Sequence, residues 1–252
     1  MNAAQERMYS RKFGVFNHFL FGAPGGSISA DAETDNWNAR VDAFDVQYVA
    51  KTLHEIGAGY YFITLMQGRK YMAAPNAAFD AIAGTKSGEA CARRDLILAL
   101  SDALRPYDID LYLYFTGDGP YKDVECGEKF GFVEPRKHIS LDFCRRWASV
   151  LEEYAVRYGD RVRGWWIDGC YDYFGYDEER LSYYHNAVKK GNPNAMTAMN
   201  NGVKDDLLKW YSGDEFTCGE YNFFDYIPHS RSIDGAQAHI LAPLGLSADG
   251  SP

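Results

Sequence analysis

The strongest chemical signal in the chain is one hexapeptide. In Gly164-Trp165-Trp166-Ile167-Asp168-Gly169 an apolar run stops at a carboxylate, and glycine follows. If the run is a strand of a barrel, Asp168 stands at its C-terminal end, where a nucleophile or base would sit. Glycine after it lets the backbone turn sharply. The plainer reading of Asp168 is an N-cap or turn residue. Glycoside hydrolysis needs two carboxyl groups, one as nucleophile or base and one as acid. The later candidates are Glu215 and Glu220, in Asp214-Glu215-Phe216-Thr217-Cys218-Gly219-Glu220. Each alone also reads as a surface glutamate.

Other chemistries find less support. There is no GxSxG elbow. Cys170 lies two residues after Asp168 with no histidine placed beside it, and reads as packing. His18, His54, His138, His185, His229 and His239 form no HxH, HxxxH or HExxH pair, so no metal is expected. The first strand lacks a GxGxxG fingerprint and Gly25-Gly26 reads as a plain turn, so no cofactor is expected either.

The elements that must position these residues follow from periodicity. Apolar runs predict strands over Phe13–Phe19, Tyr60–Leu65, Ile109–Phe115, Val162–Ile167 and Ala195–Met199, with a weak sixth near Glu215–Cys218 and a further one over His239–Leu244. Helical spacing falls between them, over Ala43–Ile56, Arg94–Leu104, Leu141–Tyr158 and Asp177–Lys190. Such alternation means βαβ units and a parallel sheet. At 252 residues it predicts an α/β chain folded as a single (β/α)8 TIM-like barrel over 1–252, its last unit irregular or incomplete. Strand ends then hold His18, Gln67, Tyr114, Asp118, Asp168, Asn200, Asn201, Glu215, Glu220 and His239.

Composition narrows the partners. The net charge of −9 argues against nucleic acid and anionic membranes, and no apolar run is long enough for a spanning helix. Aromatic residues make up 15% of the chain, and a sugar's apolar C–H face lies well on an aromatic ring. Trp37, Tyr71, Tyr114, Trp165, Trp166, Tyr171, Tyr173 and Phe174 gather near predicted strand ends. They read as a carbohydrate pocket or, individually, as core. The expected partner is an oligosaccharide or glycoside. Five widely spaced cysteines and a polar start, Met1 to Arg11, suit a cytoplasmic protein.

In order and spacing the chain resembles the α-L-fucosidase family of glycoside hydrolases, in a divergent bacterial branch. Lys12-Phe13-Gly14-Val15-Phe16-Asn17-His18-Phe19 is similar to the family's KFGIFIHWG, Arg93-Arg94-Asp95-Leu96 to its RDLV, and Trp165–Gly169 to its WFDG. Phe44–Thr64 is similar to its helix leading into the second strand, and Gly235–Pro252 to its late GGNLLLNIGPDADGTIP stretch. The resemblance implies a retaining mechanism on a (β/α)8 barrel, with exo-action expected; at 252 residues the chain is expected to lack the separate C-terminal β-domain often seen in the family. It makes Asp168 the nucleophile and Glu220 the acid/base, from a GDYxTPE-like stretch, with Glu215 in reserve. His18 and Trp37 would meet the sugar. Where the family has KHHDGF, this chain has Leu65-Met66-Gln67-Gly68-Arg69-Lys70-Tyr71, so Gln67 takes the place of one histidine. Tyr71, Tyr114, Trp166 and Asn200 complete the expected binding set. The alternatives are a non-catalytic carbohydrate-binding barrel or a glycosidase of the same fold for another sugar. An enzyme for acidic polysaccharides ranks below these, with Arg69, Lys70 and Arg231 the main basic residues near strand ends.

Overall fold

The computed structural model of the chain describes residues 1–21, 30–221 and 228–243. The turn expected at Gly25-Gly26 and the family-like loop from Leu244 to Pro252 lie outside them. In chain order the elements are α1 (Ala3–Ser10), β1 (Gly14–Asn17), α2 (Ala30–Asp42), α3 (Val46–Glu55), β2 (Tyr60–Met66), α4 (Ala77–Ala83), α5 (Leu96–Leu104), β3 (Asp110–Thr116), α6 (Val124–Lys129), α7 (Leu141–Tyr158), β4 (Gly164–Asp168), α8 (Glu178–Gly191) and β5 (Met196–Met199). A hairpin, β6 (Ser232–Ile233) and β7 (Ala236–Gln237), follows. Six of the described helices start on side-chain caps: Asn2, Asp45, Asn76, Asp95, Ser140 and Asp177 each accept from a backbone N–H of the first turn. Helices α1, α2, α4 and α6 are additions to the sequence reading.

The sheet is parallel throughout, in the order β1-β2-β3-β4-β5. Its edge at β5 is extended. Glu215 N donates to Thr197 O at 2.9 Å, and isolated parallel bridges join Phe216 to Gln237 and Glu220 to Leu241. The expected sixth and last strands are therefore bridged segments and not regular strands. Among the described residues no helix follows β5 and no strand pairing joins β1 to 236–241, so the described sheet is five-stranded and unclosed. The chain after β5 is rich in turn formers, Asn201-Gly202, Asp205-Asp206 and Ser212-Gly213-Asp214, which break helical periodicity. Asp214 ties that passage down by accepting from Met199 N at 3.1 Å and Tyr211 N at 2.9 Å.

Both faces of the sheet are apolar. Tyr61, Ile63, Leu65, Leu111, Leu113, Phe115, Trp165 and Ile167 point outward to the helices. On the other face Tyr60, Phe62, Tyr112, Tyr114, Trp166, Met196, Ala198, Phe216 and Cys218 form a second buried cluster. The inner rings meet across the sheet: Phe16 lies 5.7 Å from Trp166, and Phe62 lies 6.2 Å from Phe216 and 5.8 Å from His239. The sheet is thus strongly curved around an aromatic lumen. Period-two alternation sets which residues enter it. The lumen's N-terminal end is covered by α1; its Arg7 and the Arg11 that caps its C-terminus reach the buried Asp110 at 2.6 and 3.1 Å.

Candidate active site

At the C-terminal ends of β3, β4 and β5, inward-facing positions line up. The register pairs Tyr114 with Trp166 and Thr116 with Asp168. Asn200 N donates to Ile167 O at 2.8 Å, and Cys170 N donates to Asn200 O at 3.0 Å, which clamps Asn200 beside Asp168. Glycine after Asp168 has two causes. Gly169 has φ +73, and a Cβ there would lie 2.6 Å from Asp118 Cγ.

Asp168 is held on both oxygens. Tyr114 donates its hydroxyl to one, and Asn200 Nδ2 donates to the other at 2.7 Å. The same Nδ2 donates to Glu220 Oε2 at 2.7 Å. Gly202 N donates to Asn200 Oδ1 at 3.2 Å, which fixes the amide with its NH2 toward the carboxyls. One nitrogen therefore joins Asp168 to Glu220. The two bonded oxygens lie at most twice 2.7 Å apart, closer than the roughly 6.5–9.5 Å between the carboxyls of inverting glycosidases. Burial, assisted by the Asp168 charge, raises the Glu220 pKa, while the bond from Asn200 opposes the rise. Glu220 rides on the bridge to Leu241. The residue before it must be glycine, because a Cβ on Gly219 would lie 2.0 Å from His239 O.

Gln67 and His18 complete the ring of polar groups. Gln67 Nε2 donates to the Tyr114 hydroxyl at 2.6 Å. His18 Nδ1 lies 2.8 Å from Thr64 Oγ1, and Thr64 Oγ1 lies 3.4 Å from Asn17 O. We assign the Thr64 hydroxyl as donor to Asn17, with Nδ1–H donating to Thr64, so His18 presents Nε2 as an acceptor. Burial lowers the His18 pKa against the pull of Asp168, which favours this neutral ring. A cavity of about 360 Å³ lies between β1 and the 239–243 segment, from Gly14 and Tyr60 past Phe16, Phe62 and His239 to His18 and Glu220. His239 is half-buried; its Nδ1 lies 3.2 Å from the carbonyls of Thr217 and Cys218, and burial pushes its pKa down to about 4.

Three expected residues are elsewhere. Glu215 lies at the opposite end of the sheet, on the outer face, with Lys189 Nζ at 2.5 Å and Asn2 Nδ2 at 3.1 Å. Inward-facing Phe216, Cys218 and Glu220 alternate with Glu215 and Thr217, and five extended residues span roughly 16 Å. Trp37 is 1% exposed and donates Nε1 to Met72 O at 2.8 Å, so it packs in the core behind the sheet. Tyr71 is 3% exposed, with its ring 4.3 Å from Phe21. The apolar bulk that suggested a sugar platform at these two positions is satisfied by core packing. Trp166 is buried one inward position below Asp168 and forms the floor.

Thr64 and Asp118 gain roles the sequence reading did not give them. Thr64 interrupts the apolar run of β2 on its inward face, which was the available signal. Asp118 is 2% exposed, accepts from the Thr116 hydroxyl and lies 3.5 Å from Arg136 Nε. Burial pushes its pKa up to about 7, against the Thr116 bond and Arg136.

No family model and no curated protein sequence matches the chain. Solved structures do. An α-L-fucosidase of family GH29 from Bacteroides thetaiotaomicron matches with a TM-score of 0.59 at 20% identity, covering 89% of this chain and 54% of that one. An endo-fucoidan hydrolase of glycoside hydrolase family 107 matches with a TM-score of 0.63 at 18% identity, covering 86% of this chain and 37% of that one. An α-L-fucosidase fucosyltransferase mutant matches with a TM-score of 0.58 at 16% identity, covering 87% and 73%. The chain spans between 48% and 59% of the length of four fucosidase structures. The chain is thus similar in fold to α-L-fucosidases, the family its motifs resemble, and to fucoidan hydrolases.

Proposed function

We propose that the protein is an exo-acting, retaining glycosidase of the α-L-fucosidase type. The observation that carries this reading is the Asn200 amide bonded at 2.7 Å to both Asp168 and Glu220. That spacing suits double displacement. Asp168 attacks the anomeric carbon as the glycosidic C–O bond breaks, and Glu220 gives its proton to the departing oxygen. Glu220 then takes a proton from water, whose oxygen attacks the anomeric carbon and releases Asp168. Tyr114 and Asn200 fix the Asp168 carboxylate through neutral donors and leave its charge in place. The Nε2 acceptor of His18 is available to a ring hydroxyl.

We further read residues 1–252 as one catalytic domain of (β/α)8 type whose wall continues from β5 through 215–221 to 236–241. Ring contacts across the lumen support that reading. The unpaired Cys91, Cys126, Cys144, Cys170 and Cys218 support a reducing, cytoplasmic setting. The test is hydrolysis of 4-nitrophenyl α-L-fucoside with the product anomer followed by proton NMR. Retention of configuration, abolished by Asp168→Asn, is the expected result. A protein that binds L-fucose without turning over any of a panel of aryl glycosides would instead be a carbohydrate-binding barrel.

A further inference from the structure

The loops after β3 and β4 carry a second aromatic group that the proposed reaction does not use. Tyr171 begins it, three residues after Asp168. Tyr171 is held beside the site by its neighbours: Cys170 N donates to Asn200 O at 3.0 Å, Asp172 N donates to Asn201 Oδ1 at 3.0 Å, and the Gly202 that faces its ring donates N–H to Asn200 Oδ1 at 3.2 Å. Gly202 gives it room: a Cβ there would lie 3.1 Å from the Tyr171 ring. The Tyr173 ring stacks on Tyr171 at 5.1 Å with the planes 14° apart, and Tyr173 is 67% exposed. The pair leads from the cleft edge into solvent.

This pair is braced from below. The Arg136 guanidinium lies 4.3 Å from the Tyr121 ring, 5.4 Å from Phe174 and 5.9 Å from Tyr171. Arg136 Nε lies 3.5 Å from Asp118 Oδ2, a buried oxygen with no hydrogen-bond partner. Asp118 in turn packs against Gly169, the residue after the nucleophile. The polar groups suited to the terminal sugar, His18 and Gln67, follow β1 and β2, whereas Tyr171 and Tyr173 follow β4.

We propose that Tyr171 and Tyr173, braced by Arg136 on Asp118, form a leaving-group subsite that stacks a neutral sugar ring next to the bond to be cleaved. The occupant is the saccharide from which the terminal sugar is removed, so oligosaccharides are preferred to glycosides with small leaving groups. This rests on the proposed glycosidase reading. It follows from continuity with the carboxyl pair and from the preference of sugar C–H faces for exposed aromatic rings held at fixed geometry.

The test compares 2′-fucosyllactose, whose lactose reaches the platform, with α-L-fucosyl fluoride, whose leaving group does not. Tyr173→Ala is expected to raise KM for the trisaccharide about tenfold, the scale of one lost ring contact, and to leave the fluoride within twofold. Tyr173→Phe, which keeps the ring, should behave as wild type. Equal effects on both substrates, or no effect on either, overturn the subsite. Circular dichroism checks that the variants fold. If the wild type hydrolyses neither substrate, the glycosidase reading fails, and the subsite is judged separately by saturation-transfer NMR with lactose. Transfer to hexose ring protons that disappears in Tyr173→Ala supports it, and no transfer in the wild type overturns it.

Discussion

The two ends of the sheet both gather carboxylates, but they hold them with different partners. At the C-terminal end Asp168 and Glu220 accept from a phenol and an amide, both neutral. At the N-terminal end Asp110 accepts from Arg7 at 2.6 and 2.8 Å and from Arg11 at 3.1 Å, while Glu215 pairs with Lys189 at 2.5 Å. Neutral donors fix a carboxylate's position and leave its negative charge and proton affinity available for a reaction. Cationic partners neutralise it and fasten segments distant in sequence, here α1 to β3 and α8 to the passage after β5. On the proposed reading, the difference separates a reactive end from a fastening end.

The most severe way to break that comparison is Asp168→Asn. Loss of the nucleophile should lower turnover of an aryl α-L-fucoside by on the order of 10³-fold or more, with the melting temperature nearly unchanged. A variant that keeps substantial turnover would remove the distinction between the two ends. Next comes Glu220→Gln, with a loss of about 10²–10⁴-fold. Here pH sharpens the comparison. Burial and Asp168 disfavour charged Glu220, so its acid form persists to higher pH than that of a free glutamate. Activity should fall as pH rises through this elevated value, and the variant's profile should lack that alkaline limb.

At the other end the expected effects are on stability. Asp110→Asn removes the buried charge that Arg7 and Arg11 share, leaving them only the exposed Asp108 as a charged partner, and should cost about 3 kcal/mol, read from chemical denaturation. Below its melting temperature the variant should keep wild-type kcat. Glu215→Gln should be milder, about 1 kcal/mol, because its pair with Lys189 is partly solvated. Its pH–rate profile should overlay that of the wild type. A kinetic defect in either variant would show that the N-terminal end takes part in the reaction.

Local pattern carried much of this into view. The runs over Tyr60–Leu65 and Ile109–Phe115 match β2 and β3 within a residue or so, because both faces of those strands are buried and stay apolar. Apolar spacing marked the helices over Leu141–Tyr158 and Asp177–Lys190 within a residue or so of their observed bounds. Asp168 stood out because a carboxylate closes an otherwise apolar strand. Glu215 and Glu220 could not be ranked in this way, since both are acids in the same short passage. Their separation came from strand parity, which required knowing that Phe216 and Cys218 face the lumen. Trp37 and Tyr71 misled for a related reason. A large aromatic looks the same in sequence whether it fills a core or faces a ligand, and here both are buried.

The sequence by itself determined the α/β alternation, the inward position of Asp168 two residues after Trp166, and the glycine that turns the chain behind it. Periodicity and turn chemistry are properties of neighbouring residues, so they are written locally. Only the tertiary structure decided that Asn200 stands between Asp168 and Glu220, 32 residues from one and 20 from the other. It also decided that Tyr114 supplies the second bond to Asp168, and that Asp118 meets Gly169. Those contacts depend on the register of β3, β4 and β5 and on the curvature of the sheet, which arise from packing among strands distant in the chain.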